Sequence, residues 1–192
     1  NGRLHVHREH WTFDPKLLSG LVRLSGTAVL QFLVSTASWS VLVTIMAVFG
    51  TIALAGYQIA LRVIIFVLLP AVGVANTAGQ NLGAGKPERA ERSVWIASGL
   101  NAGLLGFAGA FFVMFADLVI SIFTTDPEVA VIGRNCLRIV GYGYAFYGLA
   151  IVMESAFNGA GDTWTPTYLN LVLFWLFEIP LAYVLANHYG LG

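Results

Sequence analysis

No Asp, Glu, Lys or Arg stands between Leu24 and Leu61, and uncharged text resumes from Val63 to Gly85 and from Ser93 to Ala116. A chain crossing hydrocarbon must satisfy its own backbone N–H and C=O groups, and about 20 apolar residues in a helix do so across a bilayer. Runs this long leave a water-soluble globule too little polar text to cover itself. Composition agrees: 57% of residues are hydrophobic, only 10% are charged, and mean hydropathy is +0.76, against about 25% charged in soluble domains. A soluble enzyme, a disordered tail and a nucleic-acid binder are excluded. Ten basic residues balance ten acidic ones, so no bulk charge draws phosphate partners. The alternation of a β-barrel strand is absent. The expected class is all-α, a polytopic membrane protein.

Sparse charges and breaker clusters divide the text into five predicted helical spans, at about 18–48, 55–76, 93–116, 131–157 and 166–186. Phe49–Leu54 reads as the first loop and Gly83–Arg89 as the second. In the third loop, Thr124–Glu128, Asp126 is placed as an N-cap with Pro127 in the first turn. Asn158–Thr163 makes the fourth. Residues 1–17 are polar, lack the apolar core of a signal peptide, and open on Asn1. They read as a cytoplasmic linker in a segment of a longer chain. Basic residues gather in that linker (Arg3, Arg8, Lys16), at Arg23 and in the second loop (Lys86, Arg89, Arg92), whereas the third loop has acids only. Short cytoplasmic loops carry the excess of Lys and Arg, so the N-terminal end is expected inside and the C-terminal end outside. Arg134, near the outer end of the fourth span, runs against this pattern.

Ionisable groups within a span are costly unless paired or hydrated, and so mark functional candidates. Glu178, two residues before Pro180 in the fifth span, reads as a cation or proton site facing a water-filled cavity, or as an inter-helix contact. Glu154, near the inner end of the fourth span, is a second candidate, with capping of loop backbone as its alternative. Arg62, placed in the outer third of the second span, is a third, with snorkelling as its alternative. Asp117 is assigned to the outer interface. Pro70 and Pro180 remove helix hydrogen bonds and are candidate hinges. Gly99, Gly103, Gly106 and Ala110 form a small-residue stripe expected to be a packing face. Gln31, Ser35, Ser38, Gln58, Asn76, Asn101 and Asn170 either line an aqueous path or hydrogen-bond between helices. Tyr142, Tyr144, Phe146 and Tyr147 could stack on a flat cation or pack and anchor. His5, His7 and His10 lack the Cys or paired acids of a metal cluster. No H-E-x-x-H or G-x-S-x-G occurs, so no catalytic residue, metal site or cofactor is expected.

Five ordered motifs carry a resemblance: Gly56–Arg62, Ala78–Ala90, Phe123–Val129, Asn158–Thr167 and Ile179–Tyr183. In order and spacing the chain from about Leu17 to Gly192 resembles the C-terminal half of the multidrug and toxic compound extrusion (MATE) family. The resemblance implies helices seven to eleven of a twelve-helix transporter, with the last helix of this six-helix lobe lying beyond the chain. Its other six-helix lobe would be the partner, together with the lipid bilayer. The implied activity is export of organic cations or other xenobiotics in exchange for H+ or Na+, in a bacterial plasma membrane. Where sodium-coupled branches carry acids in helices seven and ten, this sequence holds Ser35 and Tyr147. Coupling would then rest on Glu178 or on an acid of the other lobe, which tilts the expectation towards protons. Gln58 and Asn76 join Glu178, Glu154, Arg62 and Tyr147 as expected substrate or ion contacts. Two rival readings are a lipid-linked sugar flippase, which needs several basic residues along its cavity, and a non-transporting membrane scaffold.

Overall fold

Aspartate caps open two of the long helices, and a left-handed glycine closes two of the turns between helices. In the computed structural model, residues 14–82 and 87–188 are described, with the side chains of 77–82, 87, 187 and 188 left aside. Asp14 Oδ1 accepts from the N–H groups of Lys16 and Leu17 and opens α1 (Pro15–Ala47). The α1–α2 turn places Gly50 at φ +96°, which is cheap only without a Cβ, and α2 (Thr51–Leu82) begins at once. The predicted loop at Phe49–Leu54 is therefore a tight turn, because one glycine reverses the chain where several residues were allotted. Next comes α3 (Pro87–Ser121), which starts inside the charged text read as loop: Pro87 needs no N–H partner there and Glu88 sits favourably in the first turn. Asp126 caps α4 (Pro127–Gly159) as expected, accepting from Glu128 and Val129. A second left-handed glycine, Gly161 at φ +83°, ends that turn. Beside it Asp162 accepts from the hydroxyl and the N–H of Thr165, and these bonds hold its carboxyl below the usual carboxylate range.

The last crossing, Trp164–Ala186, is built in three pieces. A short α5 (Trp164–Asn170) widens into a π-helical stretch, Leu171–Glu178, before α6 (Ile179–His188). Pro180 has no N–H for the carbonyl of Leu176, and the turns before it take the wider i→i+5 register. The departure from α geometry thus lies N-terminal to Pro180. Around Pro70, by contrast, α2 runs on as helix. A further break, absent from the sequence reading, is at Phe115 in α3 (φ −116°, ψ 21°).

Among the described residues five helices are long and apolar enough to cross a membrane, the number expected. At ~1.5 Å per residue a 33-residue helix such as α4 spans about 50 Å, well beyond the ~30 Å of hydrocarbon. Its ends therefore stand in headgroups and water. That surplus explains why the helices reach into polar text. The end carrying Lys16, Arg23, Arg89 and Arg92 is called the basic end below; the turns at 48–50 and 122–126 lie at the opposite end.

The middle helices α2, α3 and α4 form the packed body, while α1 and the last crossing lie mainly against each other. Body packing centres on Leu105, Phe112, Ala116, Ile120, Leu137 and Tyr144. Glycines set the helix spacing, and of those in the predicted stripe Gly106 takes part, its Cβ position lying 3.3 Å from Ala145 Cβ. A Cβ on Gly141 would stand 2.8 Å from the carbonyl oxygen of Gly109, and one on Gly148 would stand 2.7 Å from that of Asn101. A Cβ on Gly99 or Gly103 would meet nothing within 4 Å beyond its own helix backbone and chain neighbours. The buried face of α3 is Ser98, Asn101, Leu105, Gly109, Phe112 and Ala116, about one residue's rotation from the expected stripe.

Asn101 is fully buried and donates to the carbonyl of Ala71 at 2.9 Å, joining α3 to α2. Inter-helix hydrogen bonds in membranes contribute ~0.6 kcal/mol on average and up to about 1.7. Asn101→Ala is expected to lower the thermal unfolding midpoint in detergent, by the shift that a free-energy loss in that range produces. An unchanged or raised midpoint would show that the bond adds nothing.

Candidate functional site

Because α1 leans on the last crossing rather than on the body, a gap opens between the two groups. At the basic end the gap is closed by polar side chains. Thr27 of α1 bonds Thr163, and Gln31, one turn on, donates to Glu154 Oε1. Asn170 donates to the same oxygen at 3.3 Å. Midway, the Trp175 indole donates to the carbonyl of Val34 at 3.2 Å, pinning the π stretch to α1. Beyond these ties the helices separate.

The separation encloses a cavity of roughly 610 Å³, within the ~300–1,000 Å³ of small-molecule sites. Its walls are the second half of α1 and the turn after it (Trp39 to Phe49), residues 57–68 of α2, residues 136–147 of α4, and Glu178, Ala182, Leu185 and Ala186 of the last crossing. Tyr57, Ala60, Leu61, Ile64 and Leu68 recur at helical spacing and turn one stripe of α2 to it. Across from them, Tyr144 is buried, donates to the carbonyl of Ile64 at 2.7 Å, and stacks on Tyr147 with centroids 6.4 Å apart. Tyr147 is itself 48% exposed, and with Tyr144 it presents an aromatic wall. Glu178, at the last residue of the π stretch, is the one charged residue in the lining and has no hydrogen-bond or ion-pair partner among the described residues.

The structure thus brings Glu178 and Tyr147 together and separates the other candidates from them. Glu154 lies in the polar tie at the basic end and does not line the cavity. Gln58, Arg62 and Asn76 share another stripe of α2, away from the Tyr57–Leu68 face, and Arg62 and Asn76 are exposed on it. Arg62 sits about midway along the Thr51–Asn76 crossing rather than in its outer third, since the helix starts earlier than predicted. Pro70 is exposed and outside the lining; Pro180 is exposed two residues beyond Glu178. Of the aromatic group, Tyr142 and Phe146 are 72% and 74% exposed and face away from the cavity. Among the polar residues, Gln31, Asn101 and Asn170 join helices, while Ser35 bonds the carbonyl of Gln31 on its own helix. The His5–His10 cluster lies outside the described residues.

Sequence reasoning missed three features. Tyr57 and Cys136 line the cavity, yet no charge marked either position. Asp117 does more than sit at an interface: it accepts from Arg134 at 2.5 Å and Arg138 at 2.7 Å, clamping α3 to α4 towards the opposite end. The i, i+4 spacing of the two arginines was the available signal, and pairing with Asp117 accounts for Arg134 on a side expected to lack bases.

The MatE family model matches residues 27–184. The chain belongs to the MatE family. Among curated relatives it is 27% identical over 185 residues to a probable multidrug resistance protein, YoeA, of Bacillus subtilis, covering 94% of this chain and 40% of that one. It is 28% identical to a probable multidrug resistance protein, NorM, of Thermotoga maritima, covering 86% of this chain and 36% of the relative. The NorM protein of Pseudomonas aeruginosa is 30% identical over 84% of this chain and 35% of its own length. The chain therefore spans about 40% or less of each of these relatives. All of the cavity-lining residues of this MatE chain fall within the matched segment except Leu185 and Ala186.

Proposed function

We propose that this chain is one lobe of a secondary active multidrug efflux transporter, exporting organic cations or other xenobiotics by antiport with H+ or Na+. One observation carries the reading: an aromatic and aliphatic cavity whose sole charged lining residue is an unpartnered carboxylate, Glu178. A flat organic cation matches both parts, through apolar contact and cation–π attraction to Tyr147 and through the charge of Glu178. A small cation neutralises the same carboxylate. The two compete for one negative charge, and each biases alternating access only by its differential affinity for the two states.

In this reading a second lobe of the same protein packs against the Gln58–Arg62–Asn76 stripe. An unpaired arginine midway across a bilayer is costly against lipid, so this face belongs against protein or a water-filled path between lobes. The relatives, named as probable multidrug resistance proteins and more than twice as long, support that arrangement. The basic end lies in the cytoplasm of a bacterial cell by the distribution of Lys and Arg. Pro180, beside the π stretch, is the proposed hinge of the last crossing. No catalytic residue or cofactor enters the mechanism. The flippase reading is disfavoured because the lining contains neither Arg nor Lys for a diphosphate.

The test uses Cys136, the single cysteine of this chain, which lines the cavity. In whole protein with any other cysteines replaced, a water-soluble maleimide is expected to label Cys136, and a transported organic cation such as ethidium to slow the labelling. Labelling that no organic cation affects would remove the cavity as the cargo site.

A further inference from the structure

The first turns of α3 carry charges that the efflux reading does not use. Glu88, Glu91, Arg92, Trp95 and Ile96 line an open cavity of roughly 490 Å³ at the basic end, which shares no residue with the Glu178 cavity. All five are exposed, and none of the three charged side chains has an ion-pair or hydrogen-bond partner among the described residues. Glu88, Arg92, Trp95, Gly99 and Gly103 recur at three- and four-residue spacing and so lie along one face. Centred on the Glu88–Ser121 crossing, ~30 Å of hydrocarbon covers about 20 residues, roughly 95–114. The charged triplet therefore stands at headgroup depth, Trp95 at the boundary where Trp concentrates, and the two glycines in the hydrocarbon. At Gly99 and Gly103 the outward face has no side chain; Ile96, Leu100 and Leu104 stand exposed along one side and Phe107 at the far end. That leaves a groove wide enough for one chain.

We propose that this face of α3 binds a zwitterionic phospholipid with a primary ammonium headgroup, the class of phosphatidylethanolamine. Its ammonium lies on Glu88 and Glu91, its phosphate on Arg92, and one acyl chain along Gly99 and Gly103. From water inwards the helix presents anion, cation, amphipathic ring and groove, and such a lipid presents ammonium, phosphate, ester and acyl chain in the same order. At ~1.5 Å per residue, Glu88 and Arg92 are about 6 Å apart along the axis, within reach of one phosphoethanolamine group. The guanidinium and phosphate form charge-assisted hydrogen bonds. An anionic headgroup meets two carboxylates for one guanidinium and is repelled. A choline headgroup has no N–H to give the carboxylates. A soluble zwitterion leaves the groove below Trp95 uncovered. The inference rests on the membrane crossing alone and not on the efflux reading.

The experiment titrates whole protein, stripped of lipid in detergent, with dioleoyl lipids and follows thermal unfolding. Phosphatidylethanolamine is expected to raise the midpoint saturably, above phosphatidylcholine and phosphatidylglycerol, and successive N-methylation of the ethanolamine should weaken the effect stepwise. The double variant Glu88→Gln/Glu91→Gln should lose about fivefold in apparent affinity for the ethanolamine lipid, the upper end for an exposed ion pair, and with it the preference over choline. Arg92→Gln should weaken both zwitterionic lipids alike, through the phosphate. Gly103→Leu should fill the groove and abolish the lipid-induced rise while leaving the lipid-free midpoint unchanged. Equal rises from the ethanolamine and choline lipids, a larger one from phosphatidylglycerol, no rise from any lipid, or a preference that survives the double variant would overturn the inference. So would a parent dimer that Gly103→Leu converts to a monomer, which assigns the face to a second copy of the chain.

Discussion

Glu178→Gln in the whole transporter is expected to cut cation-driven efflux by roughly 5- to 150-fold, the span of a coupling free energy of about 1–3 kcal/mol. The substitution keeps the shape of the side chain and removes only its charge. Folding should be indifferent to it, because Glu178 makes no hydrogen bond or ion pair among the described residues. The cavity itself would then hold no charge, since no other lining residue is ionised near neutral pH. The organic cation loses its counter-charge and the driving ion loses its seat in the same step. The measurement is the initial rate of ethidium loss from preloaded cells at matched protein levels. Wild-type rates in a well-expressed Glu178→Gln protein would remove this carboxylate from the mechanism.

Gly141→Leu should be strongly damaging to stability. A Cβ there meets the Gly109 carbonyl oxygen at 2.8 Å and Val113 Cγ2 at 3.0 Å, and the first of these is backbone that no rotamer change can move aside. Overpacked cores lose about 1–3 kcal/mol, and separating α3 from α4 would also disturb the Phe112–Tyr144 contact, with centroids 5.8 Å apart, behind the cavity wall. Gly103→Leu, on the outward face of α3 where a Cβ would meet nothing within 4 Å beyond its own helix backbone and chain neighbours, should leave the unfolding midpoint in detergent near the parent value. Equal losses in the two variants would show that glycine content, not the Gly109–Gly141 approach, matters.

Hydrophobic runs alone carried the five crossings, because hydrocarbon penalises charge more strongly than any local preference can offset. Helix ends were less legible. The helices outrun the bilayer, so charged text such as Pro87–Arg92 is helical although no membrane covers it. The face of α3 was misread because Gly99, Gly103 and Gly106 keep helical spacing just as Ser98, Asn101, Leu105 and Gly109 do. Small residues on both sides of one helix leave its orientation undecided until the partner, with Gly141 and Gly148, is in place. Glu178 was legible as an acid in a span. That Glu154 belongs to a different place was not, since only the tilt of α1 against the last crossing divides the basic end from the cavity. The separation of Arg62 was partly readable: Gln58, Arg62 and Asn76 share one phase of a 3.6-residue period, and Tyr57, Leu61 and Leu68 share another. The π stretch had one sequence signal, Pro180, which signals a disturbed helix without specifying its register.

If this lobe serves exchange of an organic cation for a small cation, the two fluxes are coupled, and counter-flux is the direct readout. Whole protein in sealed proteoliposomes, given an inward-directed gradient of H+ or of Na+, should move ethidium in the opposite direction and against its own gradient. Collapse of the effective ion gradient should stop that movement. Ethidium movement that ignores both gradients, or no movement from protein shown to be folded, would contradict the account.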